Sequence, residues 1–412
     1  MDFKRVREWL DFCNARHGES CQCRPSEKPC GFRVIDCNTR SIFESPGNIN
    51  YLALSYVWGP QPESTSNVDN TDDSRKLLPS NVPQVILDAM TVTLNLGYQY
   101  LWVDKYCISQ NAGSEKHEQV RNMDVIYRDA CLTIIVASGE PGCHSLPGVS
   151  RPRVHQPRVS IGEDLYVSLM PDPLWVIRNS CWATRGWTYQ EALLSRRRLV
   201  FTDHQVYLQC FVMHISESID IPLAVLHKRR QGREWGAWNK PGAFPIEGVG
   251  SSAPEIWQRI AEYSARKLSY ESDILNGIHG VFHTFELRYP GFSHLWGIPV
   301  WDGESRLFVN GLLWAATIPS KRRTGFPSWS WTGWLGPASR AGLWKEEFYS
   351  ITVNIELSND ETISPHEFFS SGSEARIPHS SLPRFLHLSG PTVDITVIHK
   401  SLPQHYNTES RS

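Results

Sequence analysis

A chain of 412 residues, 41% hydrophobic and 20% charged, is long enough for two or three domains and too apolar to stay unfolded. Its net charge of −2 gives no overall attraction to nucleic acid, and no apolar run approaches the roughly 20 residues of a membrane-spanning helix. The opening MDFKRVR has no apolar signal core, so the ten cysteines are expected to be mostly reduced thiols and the expected compartment is the cytoplasm, with the nucleus left open.

Residues 1–47 form a cysteine-rich segment. Cys13, His17 and Cys21 are spaced by four and would share one stripe of a helix, and Cys23 and Cys30 follow. Zinc needs four soft ligands in a tetrahedron. The segment has no clean pair of Cys-x-x-Cys knuckles, so buried thiols are the plainer reading. No metal is assigned, and zinc at these five residues stays an open question. A strand is expected at Phe32–Cys37.

Residues 48–210 alternate between strand and helix. Tyr51 to Gly59 (YLALSYVWG) reads as a buried strand with a glycine turn, and the polar stretch around Asn67 to Asp73 as a surface loop. A helix follows, with Ser80 as its cap, Pro83 in its first turn and Gly97 as its stop. Tyr100 to Asp104 is a second strand, Ser114 to Ala130 a second helix with Val120, Met123, Tyr127 and Ala130 on its apolar stripe, and Leu132 to Ser138 a third strand. Helical crossovers and strands without polar alternation predict a parallel sheet covered on both faces. Residues 139–180 are proline-punctuated and read as an insertion holding a hairpin at Asp164–Leu169. Further strands are expected at 198–202 and 205–210.

Residues 211–412 are a tryptophan-rich, mixed α+β region. Two helices are expected within 254–286, short strands at Tyr349–Leu357 and Phe385–Ile398, and a disordered tail at about 400–412. Gly248-x-Gly250 resembles a dinucleotide loop superficially, but Pro254 follows and no clear strand precedes it, so it is discounted. The chain lacks a Gly-x-Ser-x-Gly elbow, a Walker loop and a His-Glu-x-x-His run.

Three stretches in order carry a resemblance: YLALSYVWG at 51–59, YLWVDKYCISQ at 100–110, and RGWTYQE at 185–191 with LSRR at 194–197. With MDVIYRDA at 123–130, they resemble the heterokaryon-incompatibility (HET) domain of filamentous fungi. PSWSW at 327–331 is similar to the region that often accompanies it. The resemblance implies fungal self/non-self recognition, with growth arrest or programmed cell death as the output. It also implies an unidentified incompatibility partner and self-association through the HET domain. Neither nucleic acid nor membrane is an expected partner. HET domains are thought to be distant relatives of TIR domains, which implies a TIR/flavodoxin-like core. Some TIR domains cleave NAD with a glutamate in a Trp-Cys-x-x-Glu-Leu run. Trp187 to Ala192 stands in that place, with Thr188 for the cysteine and Ala192 for the leucine, and Glu191 matches the glutamate.

The resemblance therefore implies NAD as a substrate, with no cofactor required and Glu191 as the catalytic residue. Ser55, Tyr56, Trp58, Asp104 and Trp187 are candidates to bind the nucleotide, the first four because ligands in open parallel sheets sit outside the carboxyl ends of the strands. Whether the protein is an enzyme is left open. Thr188-x-x-Glu191 is also a capping box, and Arg185 or Arg197 could pair with Glu191. Trp58 and Trp187 could be plain core aromatics. A non-catalytic signalling module and a nucleotide-binding protein without a death role are the alternatives.

Overall fold

In the computed structural model the described residues are 1–23, 28–45, 47–59, 75–109, 114–139, 145–218, 222–226, 242–245, 248–250, 252–340, 351–370 and 382–391. The expected loop at Asn67–Asp73 and tail at 400–412 lie outside them, as do residues 110–113 at the end of the second motif. The chain opens with α1 (Phe3–Arg16), whose first turn is capped by Asp2 accepting from the Arg5 amide, and α2 (Gly18–Cys21). β1 (Arg33–Asp36) and β2 (Ser41–Glu44) form a hairpin. Next come β3 (Tyr51–Ser55), β4 (Arg75–Leu77), α3 (Gln84–Asn95), β5 (Tyr100–Trp102) and α4 (Asp104–Cys107). The expected helix at 114–130 is divided at Asn122 into α5 (Ser114–Arg121) and α6 (Met123–Asp129), and β6 (Leu132–Val136) follows.

Within the proline-rich stretch, β7 (Arg158–Ile161) and β8 (Asp164–Val167) pair with each other, a few residues earlier than the hairpin read from the sequence. Then come α7 (Pro173–Arg178), α8 (Trp187–Leu194), β9 (Arg197–Phe201), β10 (Val206–Cys210) and β11 (His214–Ser216).

The sheet has nine strands in the order β11-β10-β9-β6-β3-β5-β1-β2-β4. Its centre, β5-β3-β6-β9, is parallel as expected. The whole is not: every pairing outside that centre is antiparallel. For three of these five pairings the reason is the length of the connections. β1 to β2, β9 to β10 and β10 to β11 are joined by short turns, which suit antiparallel neighbours, whereas parallel neighbours need long crossovers. β3, β6 and β9 are buried along their full length, with helices covering the parallel centre. Each large aliphatic side chain there contributes about 1.5–3 kcal/mol by leaving water.

Part of the described chain that follows packs against α8. α9 (Leu223–Leu226), α10 (Glu255–Ser264) and α11 (His279–Arg288) precede the hairpin of β12 (Phe292–Leu295) and β13 (Ile298–Trp301). α12 (Ser305–Leu312), the pair β14 (Trp314–Ala316) and β15 (Ala338–Arg340), and a small sheet of β16 (Thr352–Glu356), β17 (Thr362–Ile363) and β18 (Leu386–Ser389), with α13 (Pro365–Ser370), complete it. This is the mixed α+β region expected, although residues 349–350 and 392–398 of its predicted strands lie outside the described chain.

Tyr189, Leu193 and Leu194 of α8 join a core with Ile260, Tyr263, Ile278 and Phe282, while Ala192 on the same helix packs with Ile135 and Val200 of the large sheet. All seven residues from Thr188 to Leu194 are consequently buried. The approach of α11 depends on a glycine: a Cβ at Gly280 would lie 2.3 Å from Asp124 Cβ. The Gly280 amide instead donates to Gln190 Oε1 at 3.1 Å.

Candidate functional site

α8 delivers Glu191 to the carboxyl end of β3. Two hydrogen bonds fix its entry: the Gly186 amide donates to the Lys267 carbonyl at 2.8 Å, and the Lys267 amide to the Thr184 carbonyl at 2.7 Å. At its exit, Ser195 Oγ donates to the Glu191 carbonyl oxygen at 2.6 Å. The capping-box reading fails on geometry. Thr188 lies inside the helix, and its hydroxyl is directed to the Trp182 and Arg185 carbonyls at 2.7 and 2.9 Å. Neither proposed arginine hydrogen-bonds Glu191: Arg185 donates to Ser269 Oγ at 2.7 Å and Arg197 to Asn14 Oδ1 at 2.6 Å, although the Arg185 charge still favours the ionised Glu191.

Glu191, 5% exposed, turns instead to Ser55, the last residue of β3. Ser55 Oγ donates to Glu191 Oε2 at 2.5 Å and accepts the Trp182 indole N–H at 2.8 Å. Tyr127 supplies a second hydroxyl within reach of the carboxylate and also hydrogen-bonds to the Leu54 carbonyl at 3.1 Å. Burial raises the Glu191 pKa to about 8. The Ser55 and Tyr127 hydroxyls favour the ionised form, and the charge of Asp104 opposes it.

Asp104, expected as the last residue of the second strand, instead opens α4, two residues beyond the end of β5. Its carboxylate accepts from the Lys105 amide at 2.7 Å and from the Trp58 indole at 2.9 Å. Burial raises its pKa to about 6, against the pull of these donors. Tyr56 is influenced by the charges of both Asp104 and Glu191. Its hydroxyl is buried with no hydrogen-bond partner among the described residues, and so is the Ser138 hydroxyl beyond the end of β6. A buried hydroxyl without a partner costs about 1–3 kcal/mol, so its retention calls for a reason.

The structure therefore brings Ser55, Tyr56, Asp104 and Glu191 together, with Trp58 attached through Asp104. Trp58 is 38% exposed, so its ring is not a core aromatic. Trp187 lies elsewhere: its indole donates to Asp273 at 3.4 Å. Sequence reasoning did not select Trp182 or Tyr127 for the site. Tyr127 had been read through its apolar stripe, which is correct for the ring but says nothing about the hydroxyl. Trp182 stands just ahead of the third motif, and its spacing to Ser55 is tertiary.

A family model described as Heterokaryon incompatibility protein (HET) matches residues 51–191. The chain carries a HET domain. The match begins on the first residue of β3 and ends on Glu191, so it encloses all of the site residues just described. The chain is also similar, over part of its length, to two curated relatives. The chain is 28% identical over 143 residues, 35% of its length, to the Vegetative incompatibility protein HET-E-1 of Podospora anserina. It is 31% identical over 94 residues, 21% of its length, to the Heterokaryon incompatibility protein 6, OR allele, of Neurospora crassa. These alignments span 9% and 14% of the two relatives. No solved structure matches.

Proposed function

We propose that this chain acts in fungal incompatibility as an effector of growth arrest or cell death, and that its HET domain acts by cleaving NAD through Glu191. The observation that carries the reading is the placement of Glu191. It is not spent on its own helix; it is held by Ser55 at the carboxyl rim of a parallel sheet, next to Asp104 and the unpartnered Tyr56 hydroxyl. The parallel strands run second-first-third-fourth in chain order, the order of flavodoxin-like sheets, and Ser55 lies where that order reverses. This supports the TIR-like reading.

The chemistry is an N-glycosidic cleavage. The bond between ribose C1′ and the nicotinamide nitrogen breaks, its electron pair neutralises the pyridinium, and nicotinamide leaves neutral. The ribose passes through an oxocarbenium-like state that an adjacent carboxylate stabilises, and water then completes the hydrolysis. Glu191 must be ionised for this role. The cationic nicotinamide ring favours that form as it arrives, since an opposite charge lowers a carboxyl pKa. Activity should therefore rise with pH through the Glu191 pKa of about 8 in the free protein.

The deciding experiment expresses wild type beside Glu191→Gln in a fungal host, following viability and cellular NAD together, with nicotinamide release measured on purified protein. NAD loss and toxicity with wild type, both absent from Glu191→Gln, support the reading. A wild type that leaves NAD intact even when assembled removes it.

A second reading, a HET domain that signals by self-association without catalysis, is favoured by the β7–β8 hairpin. Val159, Ile161, Leu165, Tyr166 and Val167 are exposed on it, and its strands pair only with each other in the described sheet. An unprotected apolar hairpin is a ready template for a second copy. Toxicity that survives Glu191→Gln, with self-association in sedimentation, would select it. A chain that binds nucleotide but leaves hyphae viable would select neither.

A further inference from the structure

A second cluster of chemistry-bearing side chains lies outside the candidate site, against β10. Cys13 in α1, His17 at the junction of α1 and α2, Cys21 at the end of α2 and Cys210 at the end of β10 are all buried. One potential ligand atom from each lies within 4.8 Å of the others. His17 Nδ1 is 3.2 Å from Cys13 Sγ and 3.3 Å from Cys210 Sγ. Zinc–sulfur and zinc–nitrogen bonds of about 2.3 and 2.0 Å in a tetrahedron place ligand atoms about 3.5–3.8 Å apart, so small movements would close the cage.

We propose that Cys13, His17, Cys21 and Cys210 bind a structural zinc ion that fastens the N-terminal helices to the β10–β11 hairpin. Three features agree with thiolate ligation. The Val212 and Met213 amides both direct their N–H at Cys210 Sγ, at 3.4 and 3.3 Å, as amides do around a metal-bound sulfur in a tight turn. The Arg197 guanidinium lies beside Cys13, and Arg197 faces Cys210 across the strand pair. Three thiolates and one zinc ion carry a net charge of −1, which that arginine offsets. Finally, four protein ligands with no position left for water define a closed, structural site rather than a catalytic one. The neighbouring cysteines are excluded: Cys23 Sγ is directed to the Asp129 carbonyl at 3.2 Å, and Cys30 is exposed.

The full chain, purified without a chelator or a metal-affinity step, is analysed for metal by mass spectrometry and reconstituted with cobalt(II) after zinc removal. About one zinc per chain is expected, and the cobalt form should show the intense visible bands of a tetrahedral site with sulfur-to-cobalt charge transfer. Cys210→Ser should lower that charge transfer by about a third, in proportion to the thiolates lost, and Cys30→Ser should leave it unchanged. Because Cys210→Ser could disturb folding, His17→Cys provides a second arm. It keeps four ligands, so metal should be retained and charge transfer raised by about a third. A folded, reduced wild type that takes up neither zinc nor cobalt overturns the proposal. So does a metal-free protein that has lost two titratable thiols to a Cys13–Cys210 disulfide.

Discussion

Two buried polar clusters in one chain are built on different logic. The cluster around Glu191 gathers groups from two strand ends and two helices, and it does not close on itself. Two carboxyls share it with both pKa values raised, to about 8 and about 6, and the Tyr56 hydroxyl is left without a described partner. The thiol and imidazole cluster does close, with four ligand atoms within 4.8 Å of one another. An arrangement that leaves polar atoms unspent is suited to receiving something that comes and goes. One that converges on a point is suited to holding something permanently. Burial alone does not separate them, since Ser55 and Glu191 are as buried as the four thiol and imidazole groups.

Substitutions can break that contrast. The largest expected effect is the loss of nicotinamide release in Glu191→Gln, at least about 100-fold for removal of a catalytic carboxylate, with the metal content of the protein unchanged. Next is a stability effect of the same substitution. Burial lifts the Glu191 pKa from 4.5 to about 8, so between those values the native protein holds a proton that the unfolded chain has released. Wild type should then lose up to about 1.4 kcal/mol per pH unit across that window, and more of it above pH 6, where Asp104 no longer adds its own slope, can be assigned to Glu191. Denaturant titrations at pH 5, 6.5 and 8 should show this slope in wild type and a flatter line above pH 6 in Glu191→Gln. An unchanged slope would mean that Glu191 is ionised in the native state.

Ser55→Ala is expected to cost about 1–3 kcal/mol, because it strands the buried Trp182 N–H. It should also move the activity profile to higher pH, since Ser55 favours the ionised Glu191. A stability loss without that pH shift would reduce Ser55 to a packing role. The smallest effect belongs to Trp58→Phe. That indole is 38% exposed, so its loss should cost less than about 1 kcal/mol while raising the Asp104 pKa, readable by NMR titration.

The sequence made the parallel centre legible because its strands are short apolar runs separated by amphipathic helices, a pattern that survives without tertiary knowledge. The antiparallel rims were less legible. β2 and β4 contribute four and three residues to pairings that only the finished sheet defines. Glu191 could be selected as an odd carboxyl on an apolar stripe, yet Thr188-x-x-Glu191 satisfied the spacing of a cap, and spacing cannot reveal that Thr188 sits inside the helix donating to Trp182 and Arg185. Similarly, the i, i+4 stripe of Cys13, His17 and Cys21 was visible, whereas its fourth member, Cys210, is 189 positions further along the chain than Cys21. No local motif spans that separation.

The burial of α8 on every side has a consequence for how this protein can be cut. The segment matched by the family model ends at Glu191, in the middle of that helix, while Tyr189, Leu193 and Leu194 seal against Ile260, Tyr263 and Phe282 far downstream. Severed there, the fragment would present a raw apolar flank to water and lose the Lys267 clasp on Gly186. The stretch that the family model matches and the stretch that stays dry inside are thus different lengths of chain, and the helix bearing Glu191 belongs to both.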